Sequence, residues 1–208
     1  MITVIDYGMG NLRSVVKALE SWGASVKLSS LPKDIEKAEK LVLPGVGAFG
    51  DAVKELKRLK LFDCLRQKLK DEQTPFLGIC LGLQLLFAKS QESKGTEGLS
   101  IFEGTSRLFP KSVKVPHIGW NNVKTMDDGR WMMDERCPLF QGVSDNSHFY
   151  FCHSYYVVPS DKGIIAATTN YGTEFVSVIW QDNIFGVQFH PEKSQCLGLK
   201  VLKNFISL

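Results

Sequence analysis

Pro75-Phe76-Leu77-Gly78-Ile79-Cys80-Leu81-Gly82-Leu83-Gln84-Leu85-Leu86-Phe87 is the stretch on which the fold turns. Its apolar residues 76–79 read as a short buried strand, and residues 81–88 as a buried helix. Between them, Gly78-Ile79-Cys80-Leu81-Gly82 has the spacing of a nucleophile elbow, with cysteine in the nucleophile's place. A chain that passes from strand to helix within one residue strains that residue, and side chains two positions to either side would collide. The turn would lift the Cys80 sulfur to the sheet edge, at the positive end of the helix, where a thiolate is favoured. The competing reading is a structural cysteine in an apolar strand, the usual fate of a free cysteine.

A second stretch decides between the two. In Phe185-Gly186-Val187-Gln188-Phe189-His190-Pro191-Glu192 the apolar residues Phe185, Val187 and Phe189 alternate in strand period. His190 therefore falls at the C-terminal end of a strand, where open α/β sheets carry their chemistry. Pro191 fixes the backbone, so that Glu192 can turn back onto the imidazole. A thiol nucleophile needs a base, and the base needs an acceptor on its other nitrogen. Cys80, His190 and Glu192 supply these three groups in chain order.

The pairing of Gly-Ile-Cys-Leu-Gly with a distant Val-Gln-Phe-His-Pro-Glu resembles the class I, triad-type glutamine amidotransferases. The resemblance runs from Asp6-Tyr7-Gly8-Met9-Gly10-Asn11 to the end of the chain. It implies a flavodoxin-like fold, one amidotransferase domain over residues 1–208, L-glutamine as substrate, and glutamate and ammonia as products. No cofactor and no metal are implied.

Composition sets wide bounds. The 208 residues suffice for one α/β domain, and 44% hydrophobic with 23% charged residues is ordinary for a globular chain. A net charge of +3 without a Lys/Arg cluster gives no nucleic-acid signature. The chain opens directly into a strand, without a basic n-region, and its longest apolar run, 76–88, is too short to span a bilayer. Cys64, Cys80, Cys137, Cys152 and Cys196 are scattered and form no C-x-x-C, which fits a reducing cytoplasm better than a disulfide framework or a zinc site. His117, His148 and His153 show no ligand spacing.

In order, strands are expected at 2–5, 25–28, 40–43 and 76–79. Helices are expected after Asn11 (with Leu12, Val15, Val16, Leu19 and Trp22 on one face), at 32–37, and from Asp51 to Leu69 as one piece. Residues 90–98 read as a polar loop. From Phe102 to Gln188 the runs are short and β-like, with a return to the sheet at 184–189 and a closing helix at 197–205. The fold class is α/β: an open, mostly parallel sheet flanked by helices, with an antiparallel extension.

Gly45-Val46-Gly47-Ala48-Phe49-Gly50 is a literal G-x-G-x-x-G between a strand and a helix, and alone could be a dinucleotide-phosphate turn. That reading wants an acidic residue at the end of the next strand, which instead ends at Cys80. The resemblance gives the loop another task. Attack on the glutamine amide creates an oxyanion needing two N–H donors. These would be Leu81 N–H and Val46 N–H, the latter presented by a peptide flip that flanking glycines make cheap.

The blocks at residues 6–11, 44–52 and 116–121 are most similar to amidotransferases that feed a (β/α)8-barrel cyclase subunit in histidine biosynthesis. A paralogue supplying a surface-sugar amidotransferase is the alternative. Carried over on the same resemblance, Gly47, Gln84, Glu92, Ser154 and Tyr155 would bind glutamine, and Asn11, Trp120 and Lys193 would face the cyclase. Gln84 on an apolar helix is costly without a partner, whereas Glu92 lies in a charged loop where solvation is the default. An exposed Trp120 suits an interface anchor.

Overall fold

The computed structural model describes residues 1–71, 74–126 and 137–208. In chain order the elements are β1 (Ile2–Ile5), α1 (Leu12–Glu20), β2 (Val26–Ser29), α2 (Pro32–Glu36), β3 (Lys40–Gly45), α3 (Phe49–Arg58), α4 (Leu61–Asp71), β4 (Phe76–Cys80), α5 (Leu81–Leu85) and β5 (Phe87–Ser90). There follow β6 (Phe102–Leu108), β7 (His117–Thr125), β8 (Ser147–His153), β9 (Tyr155–Pro159), β10 (Ile165–Asn170), β11 (Glu174–Gln181), β12 (Ile184–Val187) and α6 (Gln195–Ser207).

Strands β2, β1, β3, β4 and β12 lie side by side and parallel. Their apolar residues alternate between two cores, as a sheet covered on both faces requires. Ile5, Leu41 and Leu43 join Phe49, Leu56 and Leu65 of α3 and α4 on one face. Val4, Val42 and Val187 join Val15 of α1 and Phe205 of α6 on the other. Beyond β12 the sheet continues antiparallel through β11, β10, β7 and β8. Strand β9 pairs with β11 and β6, and β6 with β5. This is the mostly parallel sheet with an antiparallel extension expected from the sequence; part of the extension, residues 127–136, lies outside the described residues.

Three local expectations differ from what is found. The helix after the elbow stops at Leu85, and Phe87 and Ala88 belong to β5. There the carbonyls of Leu85 and Leu86 accept from the N–H groups of Leu99 and Ile101, so a neighbouring segment meets the backbone's demand. Gly98 permits that approach, since a Cβ on it would stand 2.1 Å from the Phe87 carbonyl oxygen. The single helix expected from Asp51 is two helices starting at Phe49, broken at Lys60, whose φ is +60°. Trp22 lies beyond α1, exposed, with the Lys203 ammonium 4.5 Å from its ring centroid. Among the described residues no helix is long and apolar enough to cross a membrane.

Candidate active site

Cys80 ends β4 with φ +54° and ψ −105°, a conformation that an L-residue adopts only at a cost. The glycines around it are explained by contact. A Cβ on Gly78 would lie 2.8 Å from the Gly82 carbonyl carbon, and one on Gly82 would lie 1.9 Å from the Leu43 carbonyl oxygen. The elbow is thus packed against both itself and β3. The helix that follows has only five residues, so its dipole offers Cys80 less than the longer helix expected from the sequence.

Strand β12 runs beside β4 with Val187 opposite Ile79, which brings the residues after Val187 alongside Cys80. Gln188, fully buried, donates from Nε2 to the Cys80 sulfur at 3.6 Å. Beyond it, Pro191–Lys193 form one 3-10 turn capped at His190. The turn is held by Lys193 N–H on the His190 carbonyl and by the Ser194 hydroxyl, which donates to that carbonyl and accepts from Tyr150 N–H. This tight return carries Glu192 Oε1 to 2.9 Å from His190 Nδ1, with the two side chains 3% and 1% exposed.

Burial alone would lower the His190 pKa. The negative charges of Cys80 and Glu192 overcome that and lift it to about 10. His190 is therefore an imidazolium at neutral pH, with Nδ1–H given to Glu192. Its Nε2 is buried, and among the described residues the group acting on the ring from outside the Glu192 contact is the Cys80 sulfur, through its charge and hydrogen bonding.

Outside the elbow a cavity of about 230 Å³ is lined by Val46, Gly47, Cys80, Leu81, Gln84, Glu92, Ser154 and Tyr155, with Pro116, Cys152 and His153. Every residue expected to serve the oxyanion or bind glutamine is on it, and its size suits an amino acid rather than a dinucleotide. A larger groove of about 780 Å³ along Arg66, Lys70 and Lys89 contains none of Cys80, His190 or Glu192.

Gln84 donates from Nε2 to the Tyr155 carbonyl at 3.1 Å and approaches Gln188 Oε1 at 3.4 Å. Glu92 is not merely a solvated loop residue: Oε2 accepts from Phe49 N–H at 2.7 Å, while Ser93 accepts from Gly50 N–H. These side chains fill the start of α3, the place where a pyrophosphate would have to sit, so the dinucleotide reading of Gly45–Gly50 fails.

Sequence reasoning passed over Gln188 and the histidine pair. His153 donates to the Tyr155 carbonyl at 2.8 Å, and His117 lies 3.1 Å from its other nitrogen. Burial pushes the pKa of His117 down to about 4 and of His153 to about 3, so both rings are neutral. An amide inside the apolar run Phe185–Phe189 was the available signal for Gln188; nothing local marked the histidines, which meet across β7 and β8.

The expected docking residues lie outside the cavity. Trp120 is 47% exposed beside Tyr150, over whose ring the Lys193 ammonium stands at 5.8 Å. Asn11 precedes α1, which packs next to the 3-10 turn carrying Lys193.

An elbow cysteine, an acid-backed imidazole and an amino-acid-sized cavity at the C-terminal edge of such a sheet define a thiol-dependent amidase. The family model described as "Glutamine amidotransferase class-I" matches residues 3–208, and the chain belongs to that family. Among its relatives, the imidazole glycerol phosphate synthase subunit HisH of Pyrococcus furiosus is 51% identical, covering 98% of this chain and 97% of its own. Subunit HisH 1 of Methanococcus maripaludis is 46% identical with 100% of both chains covered. Among solved structures, PurLQS from Thermotoga maritima shares the fold with a TM-score of 0.75 at 18% identity, covering 99% of this chain and 97% of that one.

Proposed function

We propose that this chain is the glutaminase subunit of an imidazole glycerol phosphate synthase. As one cytoplasmic amidotransferase domain it hydrolyses L-glutamine and passes ammonia to a (β/α)8-barrel cyclase for histidine biosynthesis. The observation that carries the chemistry is the Cys80 elbow beside the Glu192-backed imidazole of His190. The identity with HisH subunits along the whole chain carries the choice of pathway.

In the first step the Cys80 thiolate attacks the glutamine carboxamide carbon. The oxyanion is received by Leu81 N–H and Val46 N–H, each donor worth a factor of about 10² to 10³ in rate. His190 gives its Nε2 proton to the departing nitrogen, so that ammonia leaves and a Cys80 thioester remains. The neutral imidazole then takes a proton from water, hydroxide adds to the thioester, and glutamate departs with the thiolate and imidazolium restored. Glu192 keeps Nδ1 protonated throughout. The Glu92 carboxylate and the Tyr155 carbonyl suit the substrate's α-ammonium. Ammonia released into water at neutral pH would become ammonium and lose its nucleophilicity, which is the reason for delivery inside a complex.

The test is coupled turnover with the barrel subunit. Cys80→Ala should abolish synthesis from glutamine and leave synthesis from ammonium salts intact; loss of both would sink the division of labour. Rescue of a histidine auxotroph by the wild-type gene separates this pathway from service to a surface-sugar amidotransferase.

A further inference from the structure

Tyr7 is a fully buried tyrosine whose hydroxyl has no hydrogen-bond partner among the described residues. Leaving such a group unpaired is unfavourable, and phenylalanine would fill the same space without that cost. Its place beside the sheet is specific. Strands β1 and β3 run parallel with Ile2 opposite Lys40 and Val4 opposite Val42, and Tyr7 follows the last residue of β1 by two positions, in the loop at the end of the sheet where β3 finishes at Gly45. The β3–β4 register puts Gly45 opposite Cys80. Gly45 and Cys80 therefore stand side by side at the end of the sheet, and the Tyr7 hydroxyl reaches Gly45 there.

The side chain uses that position. A Cβ on Gly45 would fall 2.3 Å from the Tyr7 hydroxyl oxygen and 2.9 Å from Leu81 Cβ, so glycine is the residue that admits the hydroxyl between the two segments expected to supply the oxyanion donors. Burial, and the charge of Cys80 after it, push the Tyr7 pKa upward, so the group is a hydroxyl with a proton to donate. A neighbouring peptide free to turn would supply the acceptor, and the Gly45–Val46 peptide adjoins the hydroxyl. Gly45 lacks a side chain, Gly47 sits at φ +105°, and Val46 lies at the open cavity. Rotating this peptide exchanges the directions of its carbonyl and N–H.

We propose that Tyr7 is a positioning residue for amide cleavage: its hydroxyl donates to the Gly45 carbonyl when the Gly45–Val46 peptide turns, and so holds the Val46 N–H toward the oxyanion. The proposal rests on the glutaminase reading above and adds the group that selects the productive peptide orientation.

Tyr7→Phe in the complex with the barrel subunit is the test. Expected are a melting temperature equal to or above wild type, kcat for glutamine hydrolysis lowered about 10- to 100-fold, and KM within about twofold. Alkylation of Cys80 by iodoacetamide, followed on its own peptide by mass spectrometry, should keep its wild-type rate. A kcat equal to wild type overturns the proposal, and so does an alkylation rate that falls together with kcat, because the hydroxyl would then serve the sulfur. If wild type shows no Cys80-dependent glutaminase activity, the functional reading itself fails, an outcome distinct from either.

Discussion

Glu192 shows what a single residue contributes to this site. It sits two positions from His190 and is turned onto it by one proline-led turn, with its carboxylate sealed from solvent. Its charge joins that of Cys80 in lifting His190 to about 10 against the pull of burial. A native pKa above the free value of 6.5 means the folded state binds the proton more tightly. That stabilisation is complete below pH 6.5 and is lost as pH rises through about 10. Glu192→Gln should move the His190 titration downward when followed by NMR of the imidazole protons. Its melting temperature should begin to lose this contribution at lower pH than wild type, and glutaminase kcat should fall by about 10²-fold or more. An unchanged titration would show that Glu192 does not hold the imidazolium.

At the scale of elements, the loop after β5 does two tasks with one side chain. Glu92 caps α3 through Phe49 N–H and also lines the cavity, where its charge helps raise the Tyr155 pKa, second to burial. The two roles separate by substitution. Glu92→Gln keeps an acceptor for Phe49 N–H, so stability should change by less than about 1 kcal/mol in thermal unfolding. It removes the charge proposed to face the substrate ammonium, so KM for glutamine should rise about tenfold, roughly the worth of one charge-assisted hydrogen bond. A loss of stability with KM unchanged would reduce Glu92 to a helix cap. The elbow makes the complementary point: β4, α5 and β3 approach so closely that Gly78 and Gly82 are fixed by contact rather than by catalysis.

For the whole molecule, the chemistry lies along the C-terminal edge of the parallel strands and the proposed docking face beside it. Ile118 and Trp120 are 58% and 47% exposed on β7, next to Tyr150 and Lys193. Lys193 follows the residue that orients His190, so a partner seated there touches the 3-10 turn of the active site directly. Trp120→Ala should weaken assembly with the barrel subunit by about 2 kcal/mol, roughly 30-fold in Kd by calorimetry, with the melting temperature of the isolated chain unchanged. Unaltered affinity would place the interface elsewhere.

By itself the sequence determined the class of fold and the chemistry. Alternating apolar strands and periodic helices read directly, and Gly-x-Cys-x-Gly with His-Pro-Glu marks the proposed reacting groups because a turn of fixed geometry needs those residues at those spacings. The end of α5 at Leu85 was beyond its reach, since Leu83 to Phe87 suits a buried helix or strand equally and the partners of the Leu85 and Leu86 carbonyls come from residues 99–101. So too were the break at Lys60 and the His117–His153 pair. Only tertiary structure could decide that the Tyr7 hydroxyl meets Gly45 beside Cys80, because that contact joins the loop after β1 to the ends of β3 and β4. Local patterns record what each segment prefers; which polar group is left without a partner depends on how the segments meet.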